Sequence, residues 1–209
     1  MSKLLYLQAS PQGERSYSNR LGDALVQAYR QSHPRDEIVT LNVFQRPLPP
    51  FDGPAVAAKY VILHGQKHTP QHRLAWDKVE ALIAEFKTAD KYVLASPMWN
   101  FSIPYQLKLY FDILVQPGYT FTYSPQTGYQ GLVTGKPICL LLARGGSYAQ
   151  PQLAALDLQK RYLELILGFI GFTDIRTVIV EPTLAGGPDA AQRALDDALQ
   201  HARKLALEL

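Results

Sequence analysis

The stretch on which the reading of this chain turns runs from Lys3-Leu-Leu-Tyr-Leu-Gln8 through Ser10-Pro-Gln-Gly-Glu-Arg-Ser16-Tyr17-Ser18 to an amphipathic run that begins at Asn19. Its first part is almost continuous in large apolar residues, the pattern of a strand covered on both faces. Its last part places Leu21, Leu25, Ala28 and Tyr29 on one stripe, the pattern of a helix with one buried face. A strand, a short hydroxyl-rich loop and a helix in that order make an anion site. The N–H groups of the helix's first turn lack intrahelical acceptors, and the helix dipole adds partial positive charge there. Ser10, Ser16 and Ser18 add hydroxyl donors, and Ser18 is expected to serve as the N-cap. Each good hydrogen bond to a phosphate oxygen contributes about 1.5–3 kcal/mol. An ordinary strand-to-helix turn with capping serines is the plainer reading of the same residues.

The loop narrows the kind of phosphate. The chain has no G-x-x-x-x-G-K-[ST], so no lysine is placed to bridge the outer phosphates of a nucleoside triphosphate. It has no G-x-G-x-x-G either, which leaves a dinucleotide site unsupported. A serine-rich loop without lysine suits a terminal monophosphate such as that of FMN.

Outward from this stretch, apolar runs alternate with helical patterns. Strands are expected at 3–8, 37–43, 91–96, 138–143 and 174–180, and helices at 19–32, 71–88, 104–115, 152–170 and 189–207. Five strands interleaved with five helices indicate an α/β fold with a parallel sheet. In such sheets the ligand lies beyond the carboxyl ends of the strands. There the sequence places the serine loop, Pro97–Ser102 and Arg144–Tyr148. Pro97, Met98, Trp99, Asn100 and Phe101 offer flat apolar surface with one amide, which suits an isoalloxazine ring and its polar edge. Ala143, Arg144, Gly145 and Gly146 leave the fourth strand, and the paired glycines let backbone approach a ligand closely. N–H donors there would favour a reduced flavin. Arg144 has two readings of equal weight, a charge toward the ligand or a surface ion pair.

Two excursions break the alternation. Residues 44–69 begin with Pro47, Pro49, Pro50 and Pro54 and form a long connection, a lid or a partner-contacting arm. Tyr119-Thr-Phe121-Thr-Tyr123 is expected to put three rings on one face of an extended segment. The helix at 104–115 carries Tyr105, Leu107, Leu109, Tyr110, Phe111, Ile113 and Leu114 and leaves almost no polar face. Burial on two sides is expected, one side against the sheet and the other against a second subunit, so the chain is expected to form a homodimer with its site near the interface.

Composition sets the outer bounds. The 209 residues suffice for one domain with a substantial core. A net charge of +3 without a dense basic cluster does not argue for nucleic acid. No 18-residue apolar span and no signal peptide are present, so no membrane contact is expected and the cytoplasm is the expected compartment. Cys139, the only cysteine, sits within an apolar run and reads as a buried structural thiol. His64, His68 and His72 have helical spacing, but Gly65 and Pro70 interrupt them and no carboxylate accompanies them, so no metal site is expected.

Taken in order, Ser10…Ser16-Tyr17-Ser18, Pro97-Met-Trp-Asn-Phe101, Gly131-Leu-Val-Thr-Gly-Lys136, Arg144-Gly-Gly146 and Leu167-Gly-Phe-Ile-Gly171 resemble the FMN-dependent NAD(P)H azoreductases of the flavodoxin-like quinone reductase superfamily. The resemblance runs nearly end to end. It implies a five-stranded parallel sheet of order 2-1-3-4-5, helices on both faces, and one FMN-binding domain over residues 1–209. It implies a homodimer with two sites at the interface, and ping-pong hydride transfer from NADH or NADPH through FMN to flat aromatic substrates, quinones and azo dyes. Ser10, Ser16 and Ser18 with the Tyr17 backbone would hold the phosphate. Met98, Trp99, Asn100 and Phe101 would line the ring, and Gly145 and Gly146 would meet its pyrimidine edge. Tyr148 would belong to the cofactor site as well. Asn100, Phe101 and Tyr123 would face the substrate, Tyr123 on the partner's site, with no catalytic acid or base required beyond FMN. The chain differs from relatives at Tyr17, Trp99, Tyr148 and Ile166, which reshapes the pocket. A flavodoxin-like electron carrier, a phosphate-ester hydrolase and a cofactor-free interaction domain remain as alternatives; the aromatic loops weigh against the last two.

Overall fold

Among the described residues, seven strands follow one another: β1 (Lys3–Gln8), β2 (Glu37–Asn42), β3 (Lys91–Pro97), β4 (Phe121–Ser124), β5 (Gly128–Gly131), β6 (Pro137–Ala143) and β7 (Asp174–Val180). This computed structural model describes residues 1–67 and 69–209. Helices α1 (Tyr17–Ser32), α2 (Gly53–Leu63), α3 (Pro70–Lys87), α4 (Tyr105–Leu114), α5 (Pro151–Ala154), α6 (Leu158–Ile170) and α7 (Gly187–Ala206) lie between and after them. Five strands pair in parallel in the order β2-β1-β3-β6-β7. The expected order 2-1-3-4-5 made no allowance for the antiparallel hairpin β4–β5, which the chain inserts before β6.

Strand alternation divides the core. Leu4, Tyr6, Val93, Ala95, Cys139, Leu141 and Val178 face α1 and α7, meeting Leu21, Leu25, Tyr29 and Leu195. Leu5, Leu7, Leu94, Leu140 and Leu142 face the other way, toward Trp76, Val79 and Phe86 of α3, Phe111 of α4 and Leu163 and Leu167 of α6. A strand buried on both faces needs an apolar residue at every position, which explains the continuous runs in the sequence.

Register brings the carboxyl ends together. Gln8 lies beside Ala95, Pro97 beside Ala143, and Ala143 beside Val180, so four loops leave the sheet at one edge. Among the described residues no helix is long and apolar enough to cross a membrane. His68, the middle of the histidine run, lies outside the described residues.

Several expectations are corrected. The long connection after β2 contains α2, an apolar helix in which only Ala55 and Ala58 are buried. The single helix expected over 152–170 is two: α5 ends at Ala154, and Asp157 starts α6 anew by accepting the Lys160 N–H at 3.0 Å. Helix α4 is amphipathic: Leu107, Tyr110, Phe111, Ile113 and Leu114 are buried in this chain's own core, while Tyr105 and Lys108 are exposed. The three rings at 119–123 do not share a face. Tyr119 precedes the hairpin and turns toward α3, where its hydroxyl donates to Glu80 and accepts from the Trp76 indole at 3.1 Å. Phe121 and Tyr123 instead meet Tyr129 of β5.

Candidate functional site

The serine loop closes through one turn of 3-10 helix, Gly13–Arg15, which delivers Ser16 to the start of α1 with its backbone still extended (φ −76°, ψ 121°). Ser16 is therefore the N-cap, its hydroxyl accepting the Asn19 N–H at 3.3 Å. Ser18, expected in that role, already lies within the helix. A cap must sit outside helical φ/ψ, and only Ser16 does. The two hydroxyls lie 3.0 Å apart, both buried, and Ser10 is buried beside them at the end of β1. The N–H groups of Tyr17 and Ser18, first and second in the helix, have no acceptor within it.

A polar scaffold stands behind this loop. The Asn19 side-chain amide donates to the Gly13 carbonyl at 3.2 Å, and the Tyr6 hydroxyl donates to the Asn19 carbonyl and to Asp23, each at 3.1 Å. Burial raises the Asp23 carboxyl above its ordinary value and the Tyr6 phenol far above its own. Gly22 lets the ring of Tyr6 lie flat against α1; a Cβ there would collide with the phenol.

From the serines a cleft of about 290 Å³ runs across the sheet edge. Ser10, Gln12, Ser16 and Tyr17 form one end. Pro97, Met98 and Trp99 form one wall, and Ala143, Gly145, Thr183 and Leu184 form the other. Among the described residues no carboxylate lines it, so an anion entering the serine end meets donors. Ser18, Asn100, Phe101, Arg144, Gly146, Tyr148 and Tyr123 do not line this cleft.

The wall after β3 has an unusual backbone. Trp99 and Ser102 exchange two hydrogen bonds, N–H to carbonyl, at 2.9 and 3.0 Å, closing a tight turn over Asn100 and Phe101. Both central residues have positive φ, 48° and 69°. Asparagine tolerates that region; phenylalanine there is an outlier of the kind that gathers at functional sites. The turn holds the Phe101 ring half-exposed against Tyr148, with centroids 6.3 Å apart.

Arg144 fits neither of its two readings. Its side chain is 3% exposed and is bound to Asp157, Glu181 and Gln159, so it is neither a charge free to meet a ligand nor a surface pair. The loop after β7 was absent from the expected site, although it leaves the same sheet edge as the others. Leu184 and Ala185 donate their N–H groups to the Gly145 carbonyl at 3.0 and 2.9 Å, and Thr183 and Leu184 line the cleft. The rule that ligands gather at strand carboxyl ends applies equally to β7 and would have pointed to it.

The family model described as flavodoxin-like fold matches residues 2–206. The chain belongs to the flavodoxin-like family. Among relatives of this flavodoxin-like chain is an FMN-dependent NADH:quinone oxidoreductase of Nitratidesulfovibrio vulgaris, 54% identical with all of both chains covered. Among solved structures, an azoreductase from Bacillus anthracis superposes with a TM-score of 0.92 at 31% identity, again over all of both chains. An FMN-dependent NADH-azoreductase from the same organism, in complex with FMN, matches at a TM-score of 0.87 and 26% identity, covering 99% of this chain and 100% of that one. The two glycine motifs quoted from the sequence meet in this fold. Gly131 at the hairpin base lies so close to the Gly171 backbone that a Cβ on Gly131 would overlap it.

Proposed function

We propose that this chain is an FMN-dependent NADH:quinone oxidoreductase that also reduces azo compounds. The observation that carries the reading is the cleft itself, which joins buried serine hydroxyls and free helix N–H groups to a flat Met98–Trp99 wall without an intervening carboxylate. Its donors suit a phosphate monoester at one end and its apolar surface suits a tricyclic ring at the other, so the residues fit FMN. FMN, when bound, supplies the hydride-relaying centre, reduced by NADH and reoxidised by a quinone or azo compound in turn.

The protein's part is to bind, orient and exclude water. Ser10 and Ser16, with the N–H group of Tyr17, hold the phosphate against the positive end of α1, and the Ser18 hydroxyl backs that of Ser16 from 3.0 Å. Pro97, Met98 and Trp99 support the ring, and the strained turn presents Asn100 and Phe101 at the open side where donor and acceptor alternate. Ala143, Gly145 and Gly146 carry backbone donors toward the polar edge, and Tyr148 stands behind Phe101. Holding reacting atoms near 3–3.5 Å is worth about 7–11 kcal/mol in effective concentration, and no further acid or base is assigned.

The functional unit is a homodimer, and each Tyr123 reaches the other protomer's site. Tyr123 and Tyr129 are 60% and 65% exposed, and Phe101, Tyr105, Leu158 and Leu165 form a further exposed apolar area beside an open hollow of about 600 Å³. Exposed apolar surface of that kind marks an interface. Residues 1–209 act as one FMN-binding domain, and the cytoplasm is the compartment that supplies NADH. The test is to load the purified chain with FMN and add NADH, then NADPH, without oxygen while following the oxidised-flavin absorbance band. Rapid bleaching, with recovery on adding a quinone or azo dye, is expected. Bound flavin that does not bleach would make the chain an electron carrier, and failure to bind flavin would refute the site.

A further inference from the structure

Arg144 lies in the loop that leaves β6, but its guanidinium is directed at three protein groups, two from the start of α6 and one from the loop after β7. Nη2 meets Asp157 at 2.7 Å at the start of α6, and Nη1 meets Glu181 at 3.2 Å just beyond β7. Nε donates to the Gln159 side-chain carbonyl at 3.2 Å, and the Gln159 amide in turn donates to the Ser96 carbonyl of β3 at 3.1 Å. The partners are committed as well. Asp157 caps α6, and Glu181 accepts the Tyr148 N–H at 3.2 Å. The Arg144 main chain completes the link: its N–H donates to the Val180 carbonyl, and its carbonyl accepts from the N–H and hydroxyl of Thr183. One buried side chain thus ties β3, β6, α6 and β7 together immediately behind Gly145, Thr183 and Leu184.

We infer that Arg144, with Asp157 and Glu181, is a positioning residue that fixes the second wall of the cleft against the Met98–Trp99 wall and thereby sets the affinity and reduction potential of the FMN site. The inference rests on the proposed function. A planar fork of donors is what such a junction requires. Lysine would keep the charge but could not address three partners in fixed directions. The cluster also carries a charge imbalance, one cation against two carboxylates. A surplus negative charge behind the ring's polar edge disfavours the reduced flavin, where negative charge grows.

The experiment compares the wild-type chain with Arg144→Lys and Glu181→Gln. Affinity is read by fluorescence titration of FMN into the apoprotein, and the midpoint potential by dye equilibration of the loaded protein. Arg144→Lys is expected to weaken FMN binding by about tenfold or more, the loss that accompanies one or two charge-assisted hydrogen bonds. Glu181→Gln keeps an acceptor for Tyr148 but cancels the surplus charge, so its potential is expected to rise. Unchanged FMN affinity in a folded Arg144→Lys overturns the inference. If that variant does not fold, the potential of Glu181→Gln decides: a rise supports the assignment and no change overturns it. A wild-type chain that binds no FMN refutes the proposed function, and the inference falls with it.

Discussion

Phe101 offers a test in which the usual ranking of two residues is reversed. Its φ of 69° places a Cβ-bearing residue in the left-handed region, where the side chain crowds the following carbonyl. Replacement by alanine and by glycine removes the ring equally, so ring packing and the Tyr148 contact cancel in the comparison. What remains is the backbone. Alanine retains the left-handed penalty of about 1–2 kcal/mol, which glycine escapes. Glycine has a more flexible unfolded chain, which returns about 0.4–1 kcal/mol to the alanine variant. The central values of the two effects leave Phe101→Gly about 0.8 kcal/mol more stable than Phe101→Ala, the opposite of the order in an ordinary helix or strand. In a chain of this length that difference is a Tm gap of about 1–4 °C. Thermal unfolding of the two variants without added flavin measures it, and urea titration with equal slopes checks that unfolding is two-state. Turnover should fall alike in both, because neither presents the ring. An alanine variant as stable as the glycine variant, or more so, would refute the idea that this turn stores strain.

Three further outcomes follow from the structure. Ser16→Ala, which removes the true cap, should cost about 1 kcal/mol of stability in denaturant titration, whereas Ser18→Ala should cost distinctly less; both should weaken FMN binding. Gly131→Ala forces a methyl into the Gly171 backbone, which cannot yield as a side-chain end would, so a loss of about 1–3 kcal/mol is expected, and wild-type stability would contradict the contact. Burial pushes the Cys139 thiol and the Tyr162 phenol each up to about 12. A raised pKa of this kind means the folded state holds its proton longer than the unfolded one. Its stabilising contribution is whole below the unfolded values, about 8.5 for the thiol and about 10 for the phenol, and is lost as pH climbs toward about 12. Unfolding free energy should therefore decline as pH rises above about 8.5, and Cys139 should resist a soluble alkylating reagent at pH 8 until urea is added.

The parts of this molecule legible in its sequence are those where one physical demand acts alone. A strand covered on both faces must be apolar nearly throughout, so 3–8, 91–97 and 137–143 stand out. The serine loop is legible for a similar reason, since hydroxyls between a strand and a helix have few other uses. Where demands compete, the signal divides. Ser16 and Ser18 are equally good caps by type, and the choice falls to a 3-10 turn that no pattern announces. Helix α2 has no stripe, because it is apolar nearly all round and buries only two alanines. The positive φ of Phe101 runs against its own propensity and is imposed by the hydrogen bonds between Trp99 and Ser102. Arg144 reads as a surface or ligand residue because its partners are set by the fold: Glu181 meets it through the register of β6 beside β7, and Asp157 through the placement of the start of α6.

The β4–β5 hairpin shares no strand pairing with the main sheet. It is held at its base by Gly131 against Gly171, by the Val133 N–H on the Ile170 carbonyl at 2.8 Å, and by Lys87 on the Tyr119 carbonyl at 2.8 Å. Its tip, Pro125 to Thr127, is free in solvent. The cleft belongs to the sheet edge and Tyr123 to this appendage, so the two can change at different rates over evolutionary time. On the role proposed for Tyr123, exchanging the hairpin between homologues becomes a route to new acceptor range, because the graft leaves every residue that lines the cleft in place.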